Sequence, residues 1–138
     1  MLAAIQLTSP DRERLPYTRV ELDKIGEHVP SEFLVRLGIP GAPARIDDFC
    51  THLSTASIVH VACHAEQDEK DPLESVLLLD DGRLKVSRLI KEPLPNASLI
   101  FFSACETARG SESLPDEAIH IAAAALSAGF RQAIATMW

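Results

Sequence analysis

The sequence predicts an α/β domain with a mostly parallel sheet and helices on both of its faces. Two β-rich runs, Ile58–Cys63 and Ser98–Ala104, are apolar over most of their length and do not alternate with polar residues, although the first contains His60. Such runs are typical of strands that are covered on both sides. Segments with helical spacing separate the predicted strands, and this alternation of strand and helix favours the same fold class.

Spacing and breaker residues predict the elements along the chain. The acids Glu21 and Asp23 suit the first turn of a helix that begins at Thr18, and the segment Asp80-Asp81-Gly82 is a good hairpin turn. The predicted helices are Thr18–Val29, Ala44–Leu53, Val86–Ile90 and Asp116–Phe130. The predicted strands are Leu2–Thr8, Glu32–Leu37, Ile58–Cys63, Val76–Leu79, Arg83–Val86, Ser98–Ala104 and Arg131–Trp138.

We expect residues 1–138 to form a single domain, because 138 residues with 46% hydrophobic content can bury one core. A buried parallel strand is normally followed by a covering helix, and none follows the predicted strand Arg131–Trp138. We therefore expect the chain to be a fragment of a longer, multidomain protein, with its domain truncated at the C-terminal side.

Charge and composition narrow the classes of function. The net charge of -7 argues against nucleic acid and anionic membrane as partners, since both require a basic face. Met1–Leu7 lacks the basic start of a signal peptide, and no apolar run approaches the roughly 20 residues that span a bilayer. The three cysteines are not spaced as a disulfide framework, so we expect a reducing, cytoplasmic setting.

Two predicted strands end in residues that can form a nucleophile–base pair. His64 follows the first of the two apolar runs, and Cys105 follows the second. The carboxyl ends of parallel strands share one edge of a sheet, and neighbouring strands lie about 4.8 Å apart. His64 can then take the thiol proton of Cys105 and return it to a leaving amine, while backbone N–H groups such as those of Cys105 and Ala65 stabilise an oxyanion.

Several motifs resemble, in order and spacing, those of the CHAT domain. This family belongs to the caspase/separase clan of cysteine proteases and often follows TPR or related helical repeats. The motifs are VHVACHA, PLESVLLLDDGRL, SLIFFSACETARG, LPDEAIHIAAAALSAGF and RQAIATMW. The clan has its histidine before its cysteine, about 50 residues apart in caspases. Here His64 precedes Cys105 by 41 residues (105 − 64).

The resemblance implies a caspase-like α/β sandwich, a Cys105–His64 dyad and an oxyanion site formed by the N–H groups of Cys105 and Ala65. It also implies a protein or peptide substrate and helical-repeat domains in the same longer protein. One position departs from the family, which usually has glycine after the histidine, where this chain has Ala65. The change retains an N–H but loses the close approach of a substrate backbone that glycine permits.

Two alternatives to a peptidase follow. The first is a catalytically inactive CHAT-fold interaction module that serves as an effector or scaffold in a larger protein. The second and weaker one is a flavodoxin-like ligand-binding domain, which would need a Gly-rich phosphate loop after the first strand. The segment TSPDRERLP provides no such loop.

The acidic residues near the proposed dyad have a functional and a structural interpretation. Glu106, Asp116 and Glu117 are candidates for a pocket that binds the residue before the scissile bond. For Asp116 and Glu117 we prefer the simpler role of acids at a helix N-terminus. The acidic loop Glu66–Asp71 either favours a basic substrate or is only solvated.

We interpret the other histidines and Cys63 as structural. Strand alternation places His60 on the same face as His64, about 13 Å away, and places Cys63 on the opposite face. Because this alternation divides the possible ligands, we expect no metal, and we expect no other cofactor. His52 and His120 lie on predicted helices, where each suits a partly exposed position better than a catalytic one.

Overall fold

The structure, a computed structural model, describes residues 1–7, 14–66, 68, 71–103 and 117–135, with the backbone alone for residues 72 and 117–120. The strands are β1 (Leu2–Ile5), β2 (Val35–Leu37), β3 (Ile58–Ala62), β4 (Ala65–Glu66), β5 (Val76–Leu79), β6 (Gly82–Lys85), β7 (Leu99–Phe102) and β8 (Gln132–Ala135). The helices are α1 (Pro16–His28), α2 (Ile46–Leu53), α3 (Val86–Leu89) and α4 (Glu117–Ala128), and Ser31–Phe33 and Pro72–Glu74 form 3₁₀ turns.

Five strands form a parallel sheet in the order β2-β1-β3-β7-β8. All four residues of β1 are buried, as are the last four of β3, so their continuous apolar character reflects cover on both faces. The strand β3 pairs with β1 on one side and with β7 on the other. The predicted α/β class with a mostly parallel sheet is therefore confirmed.

Helices cover both faces of this sheet. On one face, Leu22 of α1 packs with the small and branched sheet residues Ala3 and Ile5. The opposite face carries the larger core, to which α2, α3 and α4 contribute. Helix residues in that core are Phe49, Cys50, Leu53, Leu89, Ile121 and Ala125. Of the helices in the described ranges, none is long and apolar enough to cross a membrane.

A small antiparallel sheet, β4-β5-β6, continues from the carboxyl end of β3. Its turn carboxylates, Asp80 and Asp81, accept hydrogen bonds from the backbone N–H groups of Ala44 (2.7 Å) and Ile46 (2.9 Å) at the start of α2. Gln6, just after β1, donates from Nε2 to the carbonyl at the end of β5 (3.2 Å). The hairpin is thereby attached to both the main sheet and α2, and the turn predicted from Asp-Gly is confirmed.

Several boundaries differ from those predicted. The helix α1 begins at Pro16, because proline lacks the N–H that would have no partner at a first helical position. Only Val35–Leu37 pairs with β1, since Ser31–Phe33 forms a 3₁₀ turn in place of the predicted start of the strand. The strand β4 is absent from the prediction, because two residues carry no hydrophobic period.

Three predicted strand ends, Thr8, Ala104 and Trp138, lie outside the described residues.

Gly38 should be far less tolerant of substitution than Gly41. Both have a positive φ, 87° and 85°, but a Cβ at Gly38 would overlap with the carbonyl oxygen of Ile5, whereas Gly41 has open space there. Alanine at either position should lower the free energy of unfolding by about 1–2 kcal/mol, because an L-residue with a side chain is strained in the left-handed region. Gly38→Ala should cost about 1–3 kcal/mol more, because the backbone of β1 must shift. Urea unfolding of both variants measures the difference, and equal losses would contradict the close approach.

Candidate functional site

The candidate site lies at the carboxyl ends of β3 and β7, which are parallel neighbours. Ile58–Val61 lies opposite Leu99–Phe102, residue for residue, with an offset of 41 positions (99 − 58). The N–H of Ser103 donates to the carbonyl of Val61 (2.8 Å), so the pairing continues one residue beyond β7. The carboxyl ends of the two strands therefore lie at the same edge of the sheet.

His64 lies where the main sheet meets the small one. The strand β3 ends two residues before it, and β4 begins at the next residue. Its carbonyl accepts a hydrogen bond from the N–H of Leu78 on β5 (2.9 Å). The residue is buried, with 2% of its surface exposed. The backbone of His64 is thus fixed by both sheets.

Ala65 occupies a non-hydrogen-bonded position of the β4–β5 pair. It lies opposite Leu77, next to the bonded pair of His64 and Leu78. Bonded and non-bonded pairs alternate along antiparallel strands, so the N–H of Ala65 points away from β5. A fixed backbone donor that is not directed at its own ladder is the kind of group that stabilises an oxyanion.

The two cysteines that the structure describes are poor nucleophiles. Burial raises the pKa of the Cys63 thiol to about 12. Burial, followed by the nearby carboxylate of Glu92, raises the pKa of Cys50 to about 11. Thiols with such values are almost fully protonated at neutral pH, and the thiolate is the reactive form. Both cysteines belong to the core on the face of α2, which confirms the structural interpretation of Cys63.

Several predicted site residues lie outside the described part of the chain. These are Cys105, Glu106 and Asp116, while Glu117 is the first residue of α4 and its side chain also lies outside the description.

The acidic loop is described in part, and its described acids have polar partners. Glu66 accepts a hydrogen bond from Arg83 on β6. Asp68 accepts one from the N–H of Asp71 (2.9 Å), and the N–H of Asp68 donates to Ser75 Oγ (3.1 Å). The loop is thus organised by local contacts along its described length.

A polar cluster that the sequence analysis missed joins α1 to both strands. The carboxylate of Glu21 lies 2.9 Å from His60 Nε2 through one oxygen and accepts a hydrogen bond from Ser103 Oγ (2.9 Å) through the other. The His60 ring stacks on Phe101 of β7, with 5.3 Å between ring centroids and 15° between planes. His60 is therefore a hydrogen-bonded core histidine, as predicted.

The protonation of this cluster follows from its burial. Burial lowers the pKa of His60, and the carboxylate of Glu21 opposes that shift because it favours the charged ring. At neutral pH the ring is neutral and carries its proton on Nε2, from which it donates to Glu21. The carboxylate then accepts from two neutral donors, one on β3 and one at the residue that follows β7.

The sequence assigns Glu21 to the first turn of its helix, and this assignment is wrong. Because α1 begins at Pro16, Glu21 lies in the second turn and its carboxylate contacts the sheet. The signal that could have found it is His60, because a buried imidazole needs a hydrogen-bond partner from the element that covers its face.

Within the described ranges, no three histidine, cysteine, aspartate or glutamate side chains are grouped as a metal site requires. His60 contacts α1 on one face of β3, whereas Cys63 belongs to the core on the other face. Because side chains alternate along a strand, His60 and Cys63 lie on opposite faces of the sheet and cannot bind the same metal ion.

Glu21→Ala should lower the pKa of His60 further, because it removes the charge that favours the imidazolium. NMR titration of the ring should give a wild-type midpoint below the ordinary value of about 6.5. The stability that neutral His60 contributes is then present above about pH 6.5 and lost as the pH falls toward its folded-state pKa. His60→Phe should flatten this part of the stability profile, and a higher midpoint in Glu21→Ala would contradict the assignment.

The chain matches the family profile described as the CHAT domain over residues 3–138. No curated protein matches it. The matched range includes both strands of the candidate site, and the parallel five-stranded sheet with its helices is consistent with a caspase-like fold. The chain therefore belongs to the CHAT domain family, which is caspase-like and related to peptidases.

Proposed function

We propose that this domain is a cysteine endopeptidase in which Cys105 is the nucleophile and His64 its base. The observation that carries the proposal is the register of β3 and β7, whose paired residues are 41 positions apart. The same separation of 41 positions (105 − 64) lies between His64 and Cys105 in the sequence, and each residue follows one of these two strands. Paired residues of parallel strands point to the same face and lie about 4.8 Å apart, within reach of a side-chain hydrogen bond.

The chemistry of such a pair is acyl transfer in two steps. His64 takes the thiol proton, and the thiolate of Cys105 attacks the peptide carbonyl carbon. The carbonyl oxygen becomes an oxyanion that accepts hydrogen bonds from the N–H groups of Ala65 and Cys105. The C–N bond breaks, His64 returns the proton to the amine, and a thioester forms. Water, deprotonated by His64, then releases the acid and regenerates the thiol.

Three observations support this assignment. Family membership gives a caspase-like, peptidase-related domain. Cys50 and Cys63, with thiol pKa values of about 11 and about 12, are unsuited to the role. The backbone N–H of Ala65 is directed away from β5, as an oxyanion donor must be.

The substrate and setting are part of the same proposal. We infer a protein or peptide substrate whose residue before the scissile bond is bound near Glu106, Asp116 and Glu117. We also infer that residues 1–138 are one domain of a longer, TPR-type cytoplasmic protein.

A second candidate is an inactive CHAT-fold interaction module, which the burial of the site favours. His64 is 2% exposed and Ala65 is 4% exposed. An enclosed imidazole exchanges protons with a bound peptide only after the site opens. This chain also has Ala65 where the family usually has glycine, which permits a closer approach of a substrate backbone.

His64→Ala should slow the labelling of Cys105 by a peptidyl electrophile about 100-fold or more, because the thiol loses its base. Mass spectrometry of the labelled peptides measures the rate at each cysteine. His52→Ala is a matched control, because His52 lines a surface depression with Met1 and Phe33 at the opposite ends of the strands. Unchanged labelling in His64→Ala, or labelling of Cys50 or Cys63 instead, would refute the dyad.

Ala65→Gly should raise kcat/KM on a peptide substrate about tenfold, or roughly 1.4 kcal/mol of barrier, because glycine lets the backbone at the oxyanion donor adjust to the bound carbonyl. Ala56→Gly, in the loop before β3, controls for the general effect of glycine and should leave the rate unchanged. Absence of cleavage by both the wild-type protein and Ala65→Gly, in a screen of peptide libraries, would favour the interaction module.

A further inference from the structure

One carboxylate connects three segments of the fold. Glu21 on α1 lies 2.9 Å from His60 on β3 and 2.9 Å from the hydroxyl of Ser103, the residue that follows β7. The His60 side chain is 9% exposed and that of Glu21 35% exposed. The contact therefore lies at the border of the core, where a charged acceptor keeps some solvation while its hydrogen bonds are largely shielded.

The arrangement is not a catalytic triad. In a serine triad, the imidazole lies between the hydroxyl and the carboxylate and takes the hydroxyl proton. Here the carboxylate lies between the other two groups, and Ser103 donates directly to it. The hydroxyl therefore has no base that could activate it through His60.

The position of Ser103 gives the contact its importance. Its N–H donates to the carbonyl of Val61, and its hydroxyl donates to Glu21. Within the described range, Ser103 is the last residue that ties β7 to β3. Terminal hydrogen bonds of a strand pair open more easily than internal ones, so a second, side-chain contact at this residue limits fraying.

We propose that Glu21 is a positioning residue, which holds Ser103 and His60 on one carboxylate and so fixes the end of β7 against β3, from which Cys105 and His64 follow. The dyad in this statement rests on the proposed function. The contact between α1 and the two strands does not.

Three substitutions distinguish the positioning role of the Glu21 side chain from the effect of its negative charge. Glu21→Ala removes both contacts. Glu21→Gln retains them, because the amide oxygen accepts from His60 Nε2 and the amide N–H donates to Ser103 Oγ. Glu27→Ala is the matched control, because Glu27 is an exposed acid of the same helix that pairs with Lys24 and not with a strand.

The first readout is hydrogen exchange of the Ser103 amide in the whole chain, which does not depend on catalysis. Glu21→Ala should speed this exchange about tenfold, because Ser103 loses its side-chain hydrogen bond to α1. Glu21→Gln and Glu27→Ala should exchange as the wild type does. Unchanged exchange in Glu21→Ala, or equal acceleration in Glu21→Gln or Glu27→Ala, would overturn the positioning role.

The second readout is the pH profile of Cys105 alkylation by iodoacetamide, followed by mass spectrometry. A thiol held less closely to its histidine ionises nearer to the value of a free cysteine, about 8.5. Glu21→Ala should therefore raise the midpoint by about one pH unit and lower the rate at pH 7 about tenfold. Glu21→Gln should restore the wild-type profile. A profile in Glu21→Ala that matches the wild type would overturn the link to the dyad.

The two proposals can fail separately. If His64→Ala leaves the alkylation of Cys105 unchanged, the dyad is wrong, and exchange of the Ser103 amide still decides whether Glu21 fixes the strand end. If His64→Ala slows alkylation and Glu21→Ala does not, the dyad stands and the positioning role is wrong.

Discussion

The parallel pairing of β3 with β7 is the constraint on which the rest of the candidate site depends. Main-chain hydrogen bonds and the alternation of side chains set its register, and a slip by one residue would move every side chain to the other face. Val61 and Ile100, fully buried in the larger core, make such a slip costly. The relative position of the two strand ends is therefore fixed by the packing of the core.

The polar cluster beside this pairing shows how the sheet accommodates a histidine in a covered strand. A buried imidazole without a partner would cost free energy on folding. Glu21 supplies the partner from α1, and its second oxygen binds Ser103. One carboxylate thereby offsets the burial of His60 and joins two strands, so stability of the sheet and geometry at its edge have a common origin.

Features that depend on residues close together in the sequence were predicted correctly, whereas contacts between distant residues were missed. Continuous apolar runs predicted β3 and β7, and strand alternation predicted that His60 and Cys63 lie on opposite faces, because these are local patterns. The role of Glu21 was not predicted, because its partner His60 is 39 residues away in the chain and only the fold brings the two together. For the candidate site, the sequence supplied His64 and Ala65 but not the direction of the Ala65 N–H, which depends on the register of β4 with β5.

His64 takes part in two sheets at once, since its chain arrives from β3 and its carbonyl is bonded to β5. Asp80 and Asp81, in the turn of the small sheet, accept hydrogen bonds from the backbone at the start of α2. The exposed turn therefore connects α2 to the strand that binds the carbonyl of His64. A substitution in this surface turn can therefore alter the surroundings of His64 while the sequence of β3 and His64 itself stays the same.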